Sequence, residues 1–249
     1  MVTYKFFNRN ISNTFNQQLL IELEKEIRHL STLQITIKEL EYLQSLQIFS
    51  SNYLKYLSNF KFNPNDITLW IDENNQLQLT ITGKWLDTIL WEVPLMAIIS
   101  ELYFKIIDTN WNYNNQIEKC LSDISLFSEH NCTIIEFGTR RRRNSVIQNI
   151  VMGMYKNYDN FYGTSNPLLA MTYNVPVKGT IAHELICCIS ELESLNHPNR
   201  IAMQKWQKVY GDSLSIFLPD TYGLKSFLND FTSQLPHPKG SGLVTQKLQ

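Results

Sequence analysis

No apolar run in this 249-residue chain approaches the roughly 20 residues that a helix needs to cross a bilayer; stretches such as Val93 to Ile99 are far shorter. The N-terminus, Met1 to Arg9, lacks the charged start, apolar middle and small-residue cleavage site of a signal peptide, and its alternation of polar and aromatic residues reads as a strand. Cysteine is scarce. The four present, Cys120, Cys132, Cys187 and Cys188, include no CxxC spacing and two are adjacent, a poor spacing for either a disulfide framework or a zinc site, which points to a reducing, intracellular setting. Charge of either sign is also lacking in excess: 22 basic and 23 acidic residues leave a formal charge of -1, so the chain as a whole does not attract nucleic acid or anionic membrane, and any anion site must be local. Neither GxxxxGK[ST] nor GxGxxG occurs, which removes the common nucleotide fingerprints. What is present, 43% hydrophobic and 12% aromatic residues, excludes disorder and suffices for one large core or two smaller ones.

After the opening strand, Ser12 or Asn13 is expected to cap a helix running to about Leu30, because Phe15, Leu19, Leu20, Leu23 and Ile27 recur at helical spacing. Further helices are expected over Ile37 to Leu46 and Asn52 to Phe60. Ile67 to Ile71 and Leu77 to Ile81 flank a polar loop and read as a hairpin, with Leu77, Leu79 and Ile81 on one face. Thr88 to Asp108 reads as a mostly buried helix with Pro94 tolerated near its start, and Asn112 to Ser128 as a more polar one.

From Thr133 a short apolar run, a polar turn and a helical pattern recur four times. The apolar runs begin near Thr133, Asn160, Val175 and Leu214, and strands alternating with helices in this way predict parallel βα units with right-handed crossovers. The division expected is an N-terminal α/β domain over 1–130, part of a β/α barrel over 131–231, and a divergent, disordered tail over 232–249.

In such a fold the loops leaving the C-terminal strand ends share one face, where a β/α barrel carries its active site. Four of the seven arginines are consecutive, Arg140 to Arg143, directly after one strand. The planar guanidinium fork suits phosphate and carboxylate, so an anionic ligand is inferred there, with a solvated basic run as the plainer alternative. Gly163-Thr-Ser-Asn and Gly179-Thr-Ile-Ala-His place glycine beside hydroxyl and amide groups at strand ends, which allows a backbone N–H close approach to a phosphate or ring. His183 lies on the same face, with Asp220 in the next loop. A carboxylate that holds an imidazole through one nitrogen exposes the other as a nucleophile or base; the alternative is that Asp220 only caps its helix. All these groups are expected to surround one hollow.

The string Glu136-Phe-Gly-Thr-Arg-Arg-Arg-Arg, then Gly163-Thr-Ser-Asn, then Gly179-Thr-Ile-Ala-His-Glu resembles the nicotinate phosphoribosyltransferases, above all those of fungal type. Val2-Thr-Tyr-Lys-Phe-Phe-Asn-Arg, Trp85-Leu-Asp-Thr-Ile-Leu-Trp-Glu-Val-Pro-Leu, Asp220-Thr-Tyr-Gly and Phe227-Leu-Asn-Asp-Phe extend the resemblance over about residues 2 to 231. It implies an irregular, TIM-like barrel after the N-terminal domain, and an NAD-salvage enzyme of the cytoplasm, with the nucleus as the alternative. That enzyme joins nicotinate to phosphoribosyl pyrophosphate with coupled ATP hydrolysis, ATP serving as co-substrate beside Mg2+. Under it, Phe137 stacks on the pyridine ring, Arg140 engages substrate anions, Ser165 and Thr180 contact nicotinate, His183 is the phosphorylated histidine and Asp220 orients it. No side chain is assigned as a metal ligand.

Two family features are not found here: an early Asp-x-Tyr-Lys segment whose tyrosine walls the nicotinate pocket, often across a dimer, and a later Arg-[His/Gln]-Asp-Ser-Gly-Asp segment with a Gly-rich phosphate loop. The expectation is therefore a chain shortened at both ends that gives no nicotinate mononucleotide alone. The alternative is a non-catalytic paralogue or fragment that acts by binding a full-length subunit; a homodimer is a further partner the resemblance implies. Nucleic-acid and membrane partners are not expected.

Overall fold

In the computed structural model, which describes residues 1–193, 195–211, 214, 216–231 and 240–241, the alternating N-terminal residues form strand β1 (Val2–Lys5). Two compact units divide between Val177 and Lys178, later than the change of texture near residue 130.

In the first unit, helix α1 (Gln17–Leu30) starts later than expected. Its cap is Asn16, whose side chain accepts from the Leu19 N–H, because Ser12 and Asn13 are drawn instead into a turn on Asn10. Helix α2 (Ile37–Ser45) opens with a capping box of Thr36 and Glu39, and α3 (Ser51–Asn59) is capped by Ser50. The hairpin forms as expected from β2 (Ile67–Ile71) and β3 (Leu77–Gly83), and β1 pairs with the other edge of β3 to give an antiparallel order β1-β3-β2. Asp72 shapes the hairpin loop by accepting from the N–H groups of Asn74 and Gln76.

One face of this sheet is the core. Leu77, Leu79 and Ile81 pack with Leu19, Leu23 and Ile27 of α1 and with Trp91, Leu95, Ile99 and Leu102. The last three lie on α5 (Glu92–Ile106), which follows two short turns, α4 (Trp85–Thr88) and a 3-10 turn over Ile89–Trp91. The expected single helix from Thr88 is thus split, and α5 begins where Pro94 falls in the first turn, whose N–H groups have no intrahelical partner. Helix α6 (Gln116–Glu129) likewise starts four residues late, after Asn115 in the left-handed region.

Two βα units complete the first unit: β4 (Ile134–Glu136) with α7 (Ser145–Tyr155), and β5 (Phe161–Thr164) with α8 (Pro167–Tyr173). The two strands pair in parallel, as expected. The third expected strand, from Val175, is reduced to one bridge between Val177 and Thr164. Pro176 has no N–H to give, and its carbonyl accepts from Thr164.

The second unit holds α9 (His183–Leu192), α10 (Pro198–Tyr210), β6 (Ile216–Phe217), α11 (Leu224–Asp230) and β7 (Gly240–Ser241). Its own core joins Ile181, Ile186, Ile189, Ala202, Met203, Phe217 and Phe227. The fourth expected strand is shortened to β6, which pairs in parallel with β7. Part of the tail expected to be disordered is therefore strand; the rest of 232–249 lies outside the described residues. Among the described residues, no helix is long and apolar enough to cross a membrane.

Candidate active site

Parallel strands β4 and β5 end side by side, and the loops that leave them are locked by one carboxylate. Glu136 is 8% exposed. Its Oε1 accepts from the Gly138 N–H at 2.6 Å and from Gln148 Nε2 at 2.9 Å, and its Oε2 accepts from the Thr164 hydroxyl at 2.6 Å. Gln148 also donates to Thr139 Oγ1, which accepts from Asn166 as well, so both loops and the start of α7 share one network. A Cβ at 138 would stand 2.8 Å from Glu136 Oε1, so any other residue there would have to displace the carboxylate from this network. Gly163, at φ 135, occupies a conformation that side chains disfavour.

The arginine run divides in this setting. Arg140 pairs with Glu92 at 2.7 Å, and Arg142 pairs with Glu101 and donates to Gln148. Arg143 donates to the Asp108 carbonyl and lies over the rings of Phe104 and Trp111. Only Arg141 has a guanidinium without a hydrogen-bond or ion-pair partner among the described residues. Burial, with Arg140 and then Arg9 as like-charged neighbours, pushes its pKa below the ordinary arginine value. A half-buried cation crowded by cations is the group that gains most from an anion.

Phe137 is 40% exposed, and its ring meets no other ring among the described residues. Ser165 is held by its N–H to the Glu136 carbonyl at 2.9 Å, which leaves its hydroxyl without a partner among the described residues. The first unit thus brings together Phe137, Arg140, Arg141 and Ser165 at two neighbouring strand ends.

Thr180, His183 and Asp220 belong to the second unit and are described within it. The Ile181 N–H donates to the Ile216 carbonyl, which sets the segment before α9 beside β6. The Thr180 hydroxyl has no partner among the described residues. His183 is the first residue of α9, whose N-terminal cap, Ala182, offers no side chain to the free N–H groups. Asp220 Oδ1 lies 3.4 Å from His183 Nε2, and Thr221 Oγ1 lies 2.7 Å from Nδ1. Asp220 does not cap α11, which begins after Gly223 without a side-chain cap.

Sequence reasoning missed Glu136, Arg141 and Thr221. A lone acid inside the apolar run Thr-Ile-Ile-Glu-Phe was an available signal for the first. Nothing in the sequence separates Arg141 from its neighbours, because Glu92, Glu101 and Asp108, which hold the others, lie 35 to 48 positions away. Among the described residues no group of three or more His, Cys, Asp or Glu side chains is placed to hold a metal ion, a donor set that does not fit a protein-built Mg2+ cage.

Residues 1–100 match the N-terminal domain of nicotinate phosphoribosyltransferase, and residues 132–237 match the nicotinate phosphoribosyltransferase family. The Methanosarcina acetivorans nicotinate phosphoribosyltransferase is 35% identical over 93% of this chain and 61% of its own length, and that of Saccharomyces cerevisiae is 36% identical over 92% and 58%. This chain therefore spans about three fifths of the length of these relatives. Crystal structures of nicotinate phosphoribosyltransferases from Porphyromonas gingivalis and Vibrio cholerae superpose with TM-scores of 0.86 and 0.83. They are 32% and 27% identical, over 92% and 94% of this chain and 60% and 58% of theirs. With both matched segments in order along one chain, and with the fold of the solved relatives, the protein belongs to the nicotinate phosphoribosyltransferase family.

Proposed function

We propose that the chain contributes to NAD salvage by joining nicotinate to phosphoribosyl pyrophosphate, with ATP hydrolysis coupled through His183. The observation that carries this reading is the match of both segments to one family. In the transfer, the pyridine nitrogen bonds to the sugar C1 while the C1–oxygen bond to pyrophosphate breaks, which gives nicotinate mononucleotide and pyrophosphate. The exposed Phe137 ring stacks on the pyridine, the free hydroxyls of Ser165 and Thr180 contact nicotinate, and Arg140 and Arg141 balance substrate anions. Of the two cations, Arg141 makes the direct contact, since Arg140 is already paired with Glu92. Mg2+, carried on the polyphosphate oxygens, supplies charge neutralisation when bound.

For ATP coupling, the lone pair of His183 attacks the γ-phosphorus, the bond to the β,γ-bridging oxygen breaks and ADP leaves; water later releases phosphate. The uncapped N-terminus of α9 favours the added negative charge. The four free cysteines suit a reducing cytoplasmic or nuclear setting.

The test incubates the purified chain with γ-labelled ATP, nicotinate, phosphoribosyl pyrophosphate and Mg2+. Acid-labile label that disappears in His183→Ala, with nicotinate mononucleotide formed by the chain alone or on mixing with a full-length family member, is the expected outcome. A chain that takes up no label and adds nothing to a full-length member would be a non-catalytic relative.

A further inference from the structure

The loop between β6 and α11 is docked along α9 by three consecutive residues. Asp220 faces His183 Nε2, Thr221 faces His183 Nδ1, and Tyr222 Oη lies 2.6 Å from the Ser190 hydroxyl, two turns further along the helix. Of the two groups on the imidazole, Thr221 is the closer, at 2.7 Å against 3.4 Å, and its position is fixed on the far side by the Tyr222 contact. Asp220 is 74% exposed, so water competes for its carboxylate and weakens its hold.

We propose that Thr221 is a positioning residue for His183. It holds the ring in one orientation and completes its Nε2–H tautomer. The Asp220 carboxylate, 3.4 Å from Nε2, favours a proton on that nitrogen by its charge, and Nδ1 then keeps its lone pair. The Thr221 hydroxyl then donates to Nδ1. When the ring takes up a second proton, the same hydroxyl rotates and accepts, so Nδ1 has a partner in both charge states. Loss of the hydroxyl leaves Nδ1 unpartnered, and the neutral ring can turn over or change tautomer at little cost. Only the catalytic consequence, that the Thr221 hydroxyl must swing off Nδ1 before that nitrogen attacks phosphorus, rests on the phosphohistidine reading above; the placement of the proton does not.

The experiment uses the full chain labelled with 15N and reads long-range proton–nitrogen correlations of the imidazoles, with His183→Ala assigning the signals of His183. The wild type is expected to show the Nε2–H tautomer, and Thr221→Val, equal in shape, a mixture of both, with Thr221→Ser restoring the wild-type pattern. A wild-type ring protonated on Nδ1, or a Thr221→Val ring identical to wild type, overturns the proposal. If the wild type takes up no label while the tautomer shifts as expected, the phosphohistidine reading fails and the role of Thr221 stands. Matching circular dichroism of the three chains separates these outcomes from unfolding.

Discussion

Removing the carboxylate of Glu136 should loosen the first unit, because one of the donors it serves, the Thr164 hydroxyl, has no other acceptor among the described residues. The Thr164 hydroxyl is wholly buried, and its only acceptor among the described residues is Glu136 Oε2 at 2.6 Å, a length typical of a charge-assisted bond. Gln148 Nε2 loses one of its two acceptors and keeps Thr139, while the exposed Gly138 N–H can turn to water. With hydrogen bonds to a charged group contributing about 1.5 to 3 kcal/mol each, Glu136→Ala is expected to cost about 3 kcal/mol, after the relief of carboxylate desolvation is set against the lost bonds. Equilibrium urea denaturation followed by tryptophan fluorescence measures this in the right place, since Trp70, Trp85, Trp91 and Trp111 all lie in that unit. A double-mutant cycle with Thr164→Val should give a coupling of about 1.5 to 3 kcal/mol. Additivity of the two substitutions to within about 0.5 kcal/mol would refute the view that this carboxylate is the knot of the two loops.

Arg140→Ala should cost the first unit about 0.5 to 1 kcal/mol through its half-exposed pair with Glu92, whereas Arg141→Ala should leave stability within about 0.5 kcal/mol and weaken inorganic pyrophosphate binding about tenfold by calorimetry. A larger loss of pyrophosphate affinity from Arg140→Ala would reverse that assignment. Burial, then the nearby Asp123 and Cys120, raise the Tyr155 pKa from 10.0 to about 12. A raised folded pKa means stability that is intact below the unfolded value and lost as pH climbs through the folded one, so the first unit should weaken between pH 10 and about 12. Tyrosinate absorbance should show several late-ionising groups, because burial also raises Tyr56, Tyr103 and Tyr42, with one fewer in Tyr155→Phe; ionisation of every tyrosine near 10 would contradict this.

The hairpin of β2 and β3 was legible because strict alternation puts Leu77, Leu79 and Ile81 on one face, and burial leaves no other register. Helix α1 was legible in its body and not at its start, since Ser12, Asn13 and Asn16 are equally able caps and a turn on Asn10 decides among them. The order of the βα units could be read, but the strand from Val175 and the length of β6 could not: Pro176 removes a donor and β6 depends on Gly240 and Ser241, far along the chain. His183 beside Asp220 followed from loop order, which is local information. Thr221 on the other nitrogen did not, because the side of a ring that a neighbour takes is set by how the loop docks on α9.

The acids that quiet the arginine run, Glu92, Glu101 and Asp108, come from α5 and the residues just after it, so one helix works as a counter-charge template for the loop. To a long polyanion the run is nearly mute, while a small one can still find Arg141, the run's one guanidinium without a partner among the described residues. Drift in the helix would therefore alter ligand preference without touching the loop. A Glu101→Gln change takes the counter-charge from Arg142 while leaving its bond to Gln148, adds a second uncompensated cation, and would make the same fold stickier toward RNA, with an affinity that collapses as salt rises.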